Sequence, residues 1–143
     1  MNVTTILSTK GRDVATIAPT ATVSDAVRLL TERKIGALII TGAGGRITGI
    51  VSERDIVRAL ANHGVGALQL PLNDVMTRKV VTCGPNDSIA NLMELMTAGK
   101  FRHLPVMDAD KLAGIISIGD VVKSRLAELE FEQTALRDYI QTA

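Results

Sequence analysis

The chain has 143 residues, 46% of them apolar, and a net charge of +1 from 16 basic and 15 acidic side chains. That is enough apolar material to exclude disorder, and the balanced charge leaves no electrostatic footprint for DNA or RNA. With no Trp, one Tyr and two Phe, the core must be aliphatic and a stacking platform for single strands is excluded as well.

The first residues, MNVTTILSTKGRD, lack the basic segment and long apolar stretch of a signal peptide. Next comes TIAPTATVSDAVRLLTERKIGALII, Thr16 to Ile40, which opens as a short strand. Val23, Ala26, Leu29 and Leu30 follow at spacings of three and four, the mark of one apolar helix face. Ser24, just after Thr22, stands where an N-cap belongs, and the helix ends at Lys34, a cation suited to the negative end of the helix dipole. A strand (GALII), a turn (TGAGG), a second strand (ITGIV) and a helix starting at Ser52 complete the pattern.

Ala61 to Lys79 then supplies Gly64, Gly66 and Pro71, which predicts a flexible corner followed by one helical turn, LNDVMT. The earlier VTTILSTKG resembles that turn. From Val81 the pattern starts again. Pro85 answers Pro19, and Ile89, Leu92, Leu95 and Met96 answer the first apolar face. Ser88 answers Ser24 as an N-cap, and Lys100 answers Lys34. HLPV, MDADK and LAGII then lead to a helix starting at Ser117. The phrase GIVSERDIV, from Gly49, thus returns as GIISIGDVV, from Gly114. The last segment, KSRLAELEFEQTALRDYIQTA, contains no Gly or Pro and predicts a long helix. Leu126, Leu129, Ala135, Leu136, Tyr139 and Ile140 form a stripe along it, for docking, for dimerisation, or for folding back on its own domain.

Each copy is therefore strand, helix, strand, strand, helix. The expected fold is mixed α/β (α+β): two pseudo-symmetric β-α-β-β-α subdomains, 1–66 and 67–127, packed through their sheets, and a C-terminal helix, 128–143. About 60 residues per copy is marginal for independent folding, so the copies are expected to pack together.

DVMT (Asp74 to Thr77), VTCGPNDSI, RHLPV (Arg102 to Val106) and the two Gly-x-x-Ser-x-x-Asp phrases resemble the CBS domain, named for cystathionine beta-synthase. Two copies resemble the tandem pair called a Bateman module, over about residues 3 to 126. The resemblance implies a sensor whose cleft between the copies binds adenosine-containing ligands such as AMP, ADP, ATP, S-adenosylmethionine or NAD(H). It also implies pairs that associate into dimers.

Ser52 and Ser117 each precede a helix, with Asp55 and Asp120 three positions on. One role for such a pair is a cap, the serine accepting a backbone N–H and the aspartate complementing the positive helix end. The other is a ligand site, because a helix start and a serine hydroxyl offer donors to a phosphate. The aspartates repel phosphate but can accept hydrogen bonds from ribose hydroxyls, the role of the matching family residue. The two roles are compatible.

The copies differ where cations are concerned. Gly36-Ala37 in the first becomes Arg102-His103 in the second, a family position that contacts phosphate, and Arg54 becomes Gly119. Arg102 and His103 serve equally as a surface ion pair and a satisfied histidine, and Arg54 as a partner of Glu53 or Asp55. Lys10 is a further phosphate candidate. Thr16, Ile17, Ala18, Val81, Thr82 and Cys83 sit on first strands whose backbone can read an adenine edge, although strand packing accounts for most of these side chains.

Sharper chemistries find no support. GAGGRITG lacks the Gly-Lys-Ser/Thr ending of a phosphate loop, and a hairpin turn explains it. One cysteine and two distant histidines give no zinc pattern, and no nucleophile, base and oxyanion set appears. Cys83 fits a small packing residue. As the single cysteine it forms no intrachain disulfide, and the longest apolar runs, such as Ala37 to Ile40, are too short for a bilayer.

The expectation is a soluble cytoplasmic, non-catalytic adenine-nucleotide sensor. It has no catalytic cofactor and no metal, nucleic-acid or membrane partner; it forms a homodimer and acts on a protein client not identifiable from sequence. The competing expectation is a structural interaction module with no ligand.

Overall fold

The computed structural model describes residues 1–142; Ala143, the last residue of the expected C-terminal helix, lies outside them. In chain order the elements begin α1 (Val3–Lys10), β1 (Thr16–Ile17), α2 (Val23–Arg33), β2 (Ala37–Thr41), β3 (Ile47–Ser52) and α3 (Glu53–His63). A 3-10 turn (Gly64–Gln69), α4 (Leu72–Val75), α5 (Ile89–Gly99), β4 (His103–Asp108), β5 (Lys111–Ser117) and α6 (Ile118–Thr142) follow. Packing divides the chain into two compact units, one of Val14–Val80 and one that joins Met1–Asp13 to the chain from Val81 onward.

In the Val14–Val80 unit, β2 is the central strand, parallel to β1 (Thr16 beside Ile39) and antiparallel to β3 (Ala37 beside Ser52). Val23, Ala26 and Leu30 of α2 pack with Leu38, Ile40, Val51 and Ile56, so the apolar face read from sequence is the buried face. The cap of α2 is Thr22, not Ser24. Thr22 has extended backbone and accepts from the Asp25 N–H at 3.1 Å, while Asp25 returns a carboxylate to the Thr22 N–H at 3.0 Å. Ser24 already lies inside the helix, where its hydroxyl cannot serve that function.

The expected flexible corner is instead the 3-10 turn. Gly64, at φ 63°, redirects the chain as α3 ends; Ala67 is then fully buried, and the partly buried Leu68 and Leu70 pack against the same core. Leu72 and Met76 complete that core, and Thr77 exchanges backbone hydrogen bonds with Ile50 at 2.8 and 3.0 Å.

In the other unit, β4 and β5 form a hairpin closed by Ala109 and Asp110, both at positive φ, as a two-residue turn requires. The counterpart of β1 shrinks to one parallel bridge. Cys83 donates to the Pro105 carbonyl at 3.0 Å and accepts from the Met107 N–H at 2.8 Å. Ser88 does cap α5, accepting from the Asn91 N–H at 3.1 Å. Ile89, Leu92 and Met96 of α5 pack with Leu104, Val106, Ile116 and Val121, and α1 contributes Val3, Ile6 and Leu7 to the same core.

The repeated glycine has a packing reason. A Cβ on Gly114 would lie 2.7 Å from Leu7 Cδ2, and one on Gly49 would lie 2.6 Å from Met76 Sδ and 2.9 Å from the Thr77 carbonyl. Each glycine is a notch that lets a short helix lie against its hairpin. Packing thus divides the chain differently from the contiguous stretches 1–66 and 67–127: Leu7 of α1 fills the notch in the unit built from Val81 onward, and Met76 and Thr77, just after α4, fill the notch in Val14–Val80. At the C-terminal end, the second helix of the second copy and the long terminal helix form one uninterrupted helix, α6.

Candidate functional site

Each Ser–Asp phrase sits where the last strand of its hairpin becomes a helix. Ser52 lies beside Ala37, and the Glu53 N–H donates to the Gly36 carbonyl at 3.1 Å. Ser117 lies beside His103, and the Ile118 N–H donates to the Arg102 carbonyl at 2.8 Å. The register of each hairpin therefore brings Gly36 and Ala37, or Arg102 and His103, to the start of the following helix.

The two aspartates turn back on their serines in the same way. Asp55 Oδ2 accepts from the Ser52 N–H at 2.9 Å and its hydroxyl at 3.2 Å. Asp120 Oδ2 accepts from the Ser117 N–H at 2.8 Å and its hydroxyl at 2.9 Å. Beyond that they diverge. Asp55 Oδ1 accepts from the Thr77 hydroxyl at 2.9 Å, faces Arg58 at 3.6 Å, and has a side chain only 5% exposed. Asp120 Oδ2 takes the Lys10 ammonium at 2.6 Å and its side chain is 23% exposed. Partial burial pushes the Asp120 carboxyl up, but the hydrogen bonds from Lys10 and Ser117 outweigh it and hold the group below its ordinary value.

Lys10, at the end of α1, thus spends its charge here on Asp120 and on the Ile115 carbonyl at 2.9 Å. Arg54 is exposed on the first turn of α3. Gly119 holds the matching position on α6, where a Cβ would meet only the Ser117 hydroxyl at 3.6 Å. Of the first-strand candidates, Ile17 and Val81 pack against the cores and Cys83 is buried, so their side chains face packing partners. Burial, with the nearby Asp87 charge, pushes the Cys83 thiol up to about 12, which leaves it a neutral packing group. Thr16, Ala18 and Thr82 are exposed. In each sheet the first strand pairs with the central strand (β2 or β4) on the side opposite the serine-bearing strand.

Thr77, Arg58 and the Ile115 carbonyl are participants that the sequence reading does not single out. Thr77 is the last letter of the DVMT signature, so its importance is visible in the sequence while its hydrogen-bond partner is not. Among the described residues no group of three or more His, Cys, Asp or Glu side chains can hold a metal ion, and no helix is long and apolar enough to cross a membrane.

The CBS domain family is matched twice, at residues 6–62 and 72–127. The CBS domain-containing protein CBSX3, mitochondrial, of Arabidopsis thaliana is 36% identical over 124 residues, 84% of this chain and 60% of the plant protein. The chain therefore spans less than two thirds of that relative. A crystal structure of a CBS-domain containing protein from Agrobacterium tumefaciens superposes with a TM-score of 0.86 at 47% identity, covering 87% of this chain and 99% of that one. The CBS domain pair of protein MJ0100, solved in complex with 5'-methylthioadenosine and S-adenosyl-L-methionine, superposes with a TM-score of 0.76 at 25% identity, covering 88% and 98%.

Proposed function

Because the chain belongs to the CBS domain family, carrying two such domains, we propose that it is a non-catalytic regulatory module that binds an adenosine-containing ligand at the Asp120 turn. AMP, ADP, ATP, NAD(H) and S-adenosylmethionine are the candidate ligands. The related pair of MJ0100 was solved with two adenosine derivatives, which supports the ligand class. The carrying observation is that Asp120 is ionised, partly exposed and countered by a long lysine side chain. A ribose diol can replace the lysine as donor to that carboxylate, and the released Lys10 ammonium is then available to a phosphate. The Ser117 hydroxyl and the start of α6 add donors of the kind phosphate takes, with Arg102 and His103 next to them in the hairpin register. Binding then acts on the arrangement of a homodimer and its contact with a protein client, to the extent that the ligand prefers one arrangement. A buried, neutral Cys83 suits a reducing compartment such as the cytoplasm.

A ligand-free structural module is the second reading, favoured by one observation: both aspartates already cap their helices with protein donors alone. Thermal melts of the full chain with AMP, ATP, NADH and S-adenosylmethionine separate the two. At about 100-fold excess over the dissociation constant a ligand stabilises by about 2.7 kcal/mol, a readable rise in melting temperature that Asp120→Ala should abolish. No shift at millimolar concentration of any of the four would favour the structural module. Mass spectrometry of small molecules released on denaturation identifies a ligand carried through purification.

A further inference from the structure

The far end of α6 leaves its own unit. Val121 is buried in the core, Ser124 meets Met1, and Arg125 pairs with Glu128 at 2.9 Å. From Leu129 to Thr142 every residue is exposed. An isolated helical segment of that length is marginal in water, and this one carries large apolar side chains on one side. Val122, Leu129 and Leu136 recur every seven residues, and Leu126 and Ile140 fall on a second line of sevens, with Gln133 between them. Their exposures run from 44% for Leu129 to 65% for Ile140. Alternating steps of four and three make this an a/d seam, with Leu126, Gln133 and Ile140 at a and Val122, Leu129 and Leu136 at d. Val121, Ser124 and Glu128, which face the helix's own unit, fall at the c and f positions on the opposite side, so the seam points away from that unit.

We propose that this seam pairs with the same seam of a second copy of the chain, as a parallel, in-register two-stranded coiled coil. The charges flanking the seam select that occupant and that direction. In a parallel pair a g residue meets the e residue five positions further along the partner. That places Arg125 against Glu130 and Glu132 against Arg137, opposite charges on both sides of the seam. The antiparallel arrangement that keeps the same seam layers sets Glu130 against Glu130, Glu132 against Glu132 and Lys123 against Arg137, all like charges. Gln133, polar at a central a position, meets its own copy only in register and penalises slipped pairings, where it would face an aliphatic residue. Phe131 lies off the seam, and Tyr139 flanks it. The interface takes from the proposed function only the homodimer, and nothing in it involves a nucleotide.

The test uses the full chain with Cys83→Ser and a single new cysteine, Gln133→Cys or Ile140→Cys. Mild oxidation is expected to give a covalent dimer at either position on a non-reducing gel. Glu132→Lys and Arg137→Glu, each added to Ile140→Cys, should slow cross-linking severalfold alone. Mixed together they should give heterodimer in clear excess over random pairing. Random pairing in the mixture overturns the assignment. So does cross-linking that needs Val122→Cys mixed with Ile140→Cys, the antiparallel signature. Sedimentation velocity of the unmodified chain separates the two levels: a dimer without cross-links sinks the seam and leaves the homodimer standing, whereas a monomer sinks both.

Discussion

The two Ser–Asp turns share their letters but not their support. In each, a carboxylate and a nearby strand carbonyl must be satisfied by a segment arriving from elsewhere in the chain. At the first turn Thr77 does both, its N–H donating to the Ile50 carbonyl at 2.8 Å and its hydroxyl to Asp55 at 2.9 Å. At the second, the Lys10 ammonium reaches the Ile115 carbonyl at 2.9 Å and Asp120 at 2.6 Å. A backbone amide and a short hydroxyl cannot withdraw without unpacking α4. A lysine can swing away and keep its charge solvated. The first turn is therefore built as structure, and the second is the one open to exchange with a ligand.

Removing each carboxylate is the sharpest test of that contrast. Asp55→Ala removes a buried carboxylate that accepts from Ser52 and Thr77 and should cost about 2 kcal/mol in guanidinium unfolding. Asp120→Ala, at a partly exposed ion pair, should cost about 1 kcal/mol. Equal losses at the two sites would refute the distinction.

The glycine notches give a smaller, parallel difference. Gly49→Ala drives a methyl group into the Thr77 carbonyl as well as Met76, whereas the nearest atoms to a methyl group at Gly114 all belong to the Leu7 side chain. The first should cost about 2 kcal/mol and the second about 1 kcal/mol, because side chains yield more readily than backbone. A larger loss for Gly114→Ala would mean that α1, not α4, is the more rigidly held helix.

The weakest effect is on acid stability. The Asp120 carboxyl is held below its ordinary value in the folded chain. It therefore contributes stability that is present above the unfolded carboxylate value of about 4 and is lost as the pH falls through the lowered folded value. Lys10→Met should flatten that part of the stability profile, by less than about 1 kcal/mol. An unchanged acid limb would show that the lysine does not stabilise the ionised form.

Much of this architecture is legible in the chain itself. The period of Val23, Ala26 and Leu30 places α2 and its buried face, the repeated phrase places both strand-to-helix turns, and the uninterrupted final segment predicts a long helix. The less legible parts are those settled by competition among neighbours. Thr22 rather than Ser24 caps α2 because the extended residue wins the N3 amide, and Ala67 is buried within a 3-10 turn that begins at Gly64. The aspartates are visible as candidates, but nothing adjacent to them in sequence reveals that one is closed by Thr77 and the other by Lys10.

Local rules and repetition alone settled the duplicated β-α-β-β-α pattern, the aliphatic core and the pairing of each serine with its aspartate, since all of these depend on residues a few positions apart. Tertiary structure alone decided which short helix fills which glycine notch, and therefore which donor reaches which carboxylate. Those contacts join residues 22 positions apart in one turn and 110 in the other, and at such separations packing rather than local preference selects the partner.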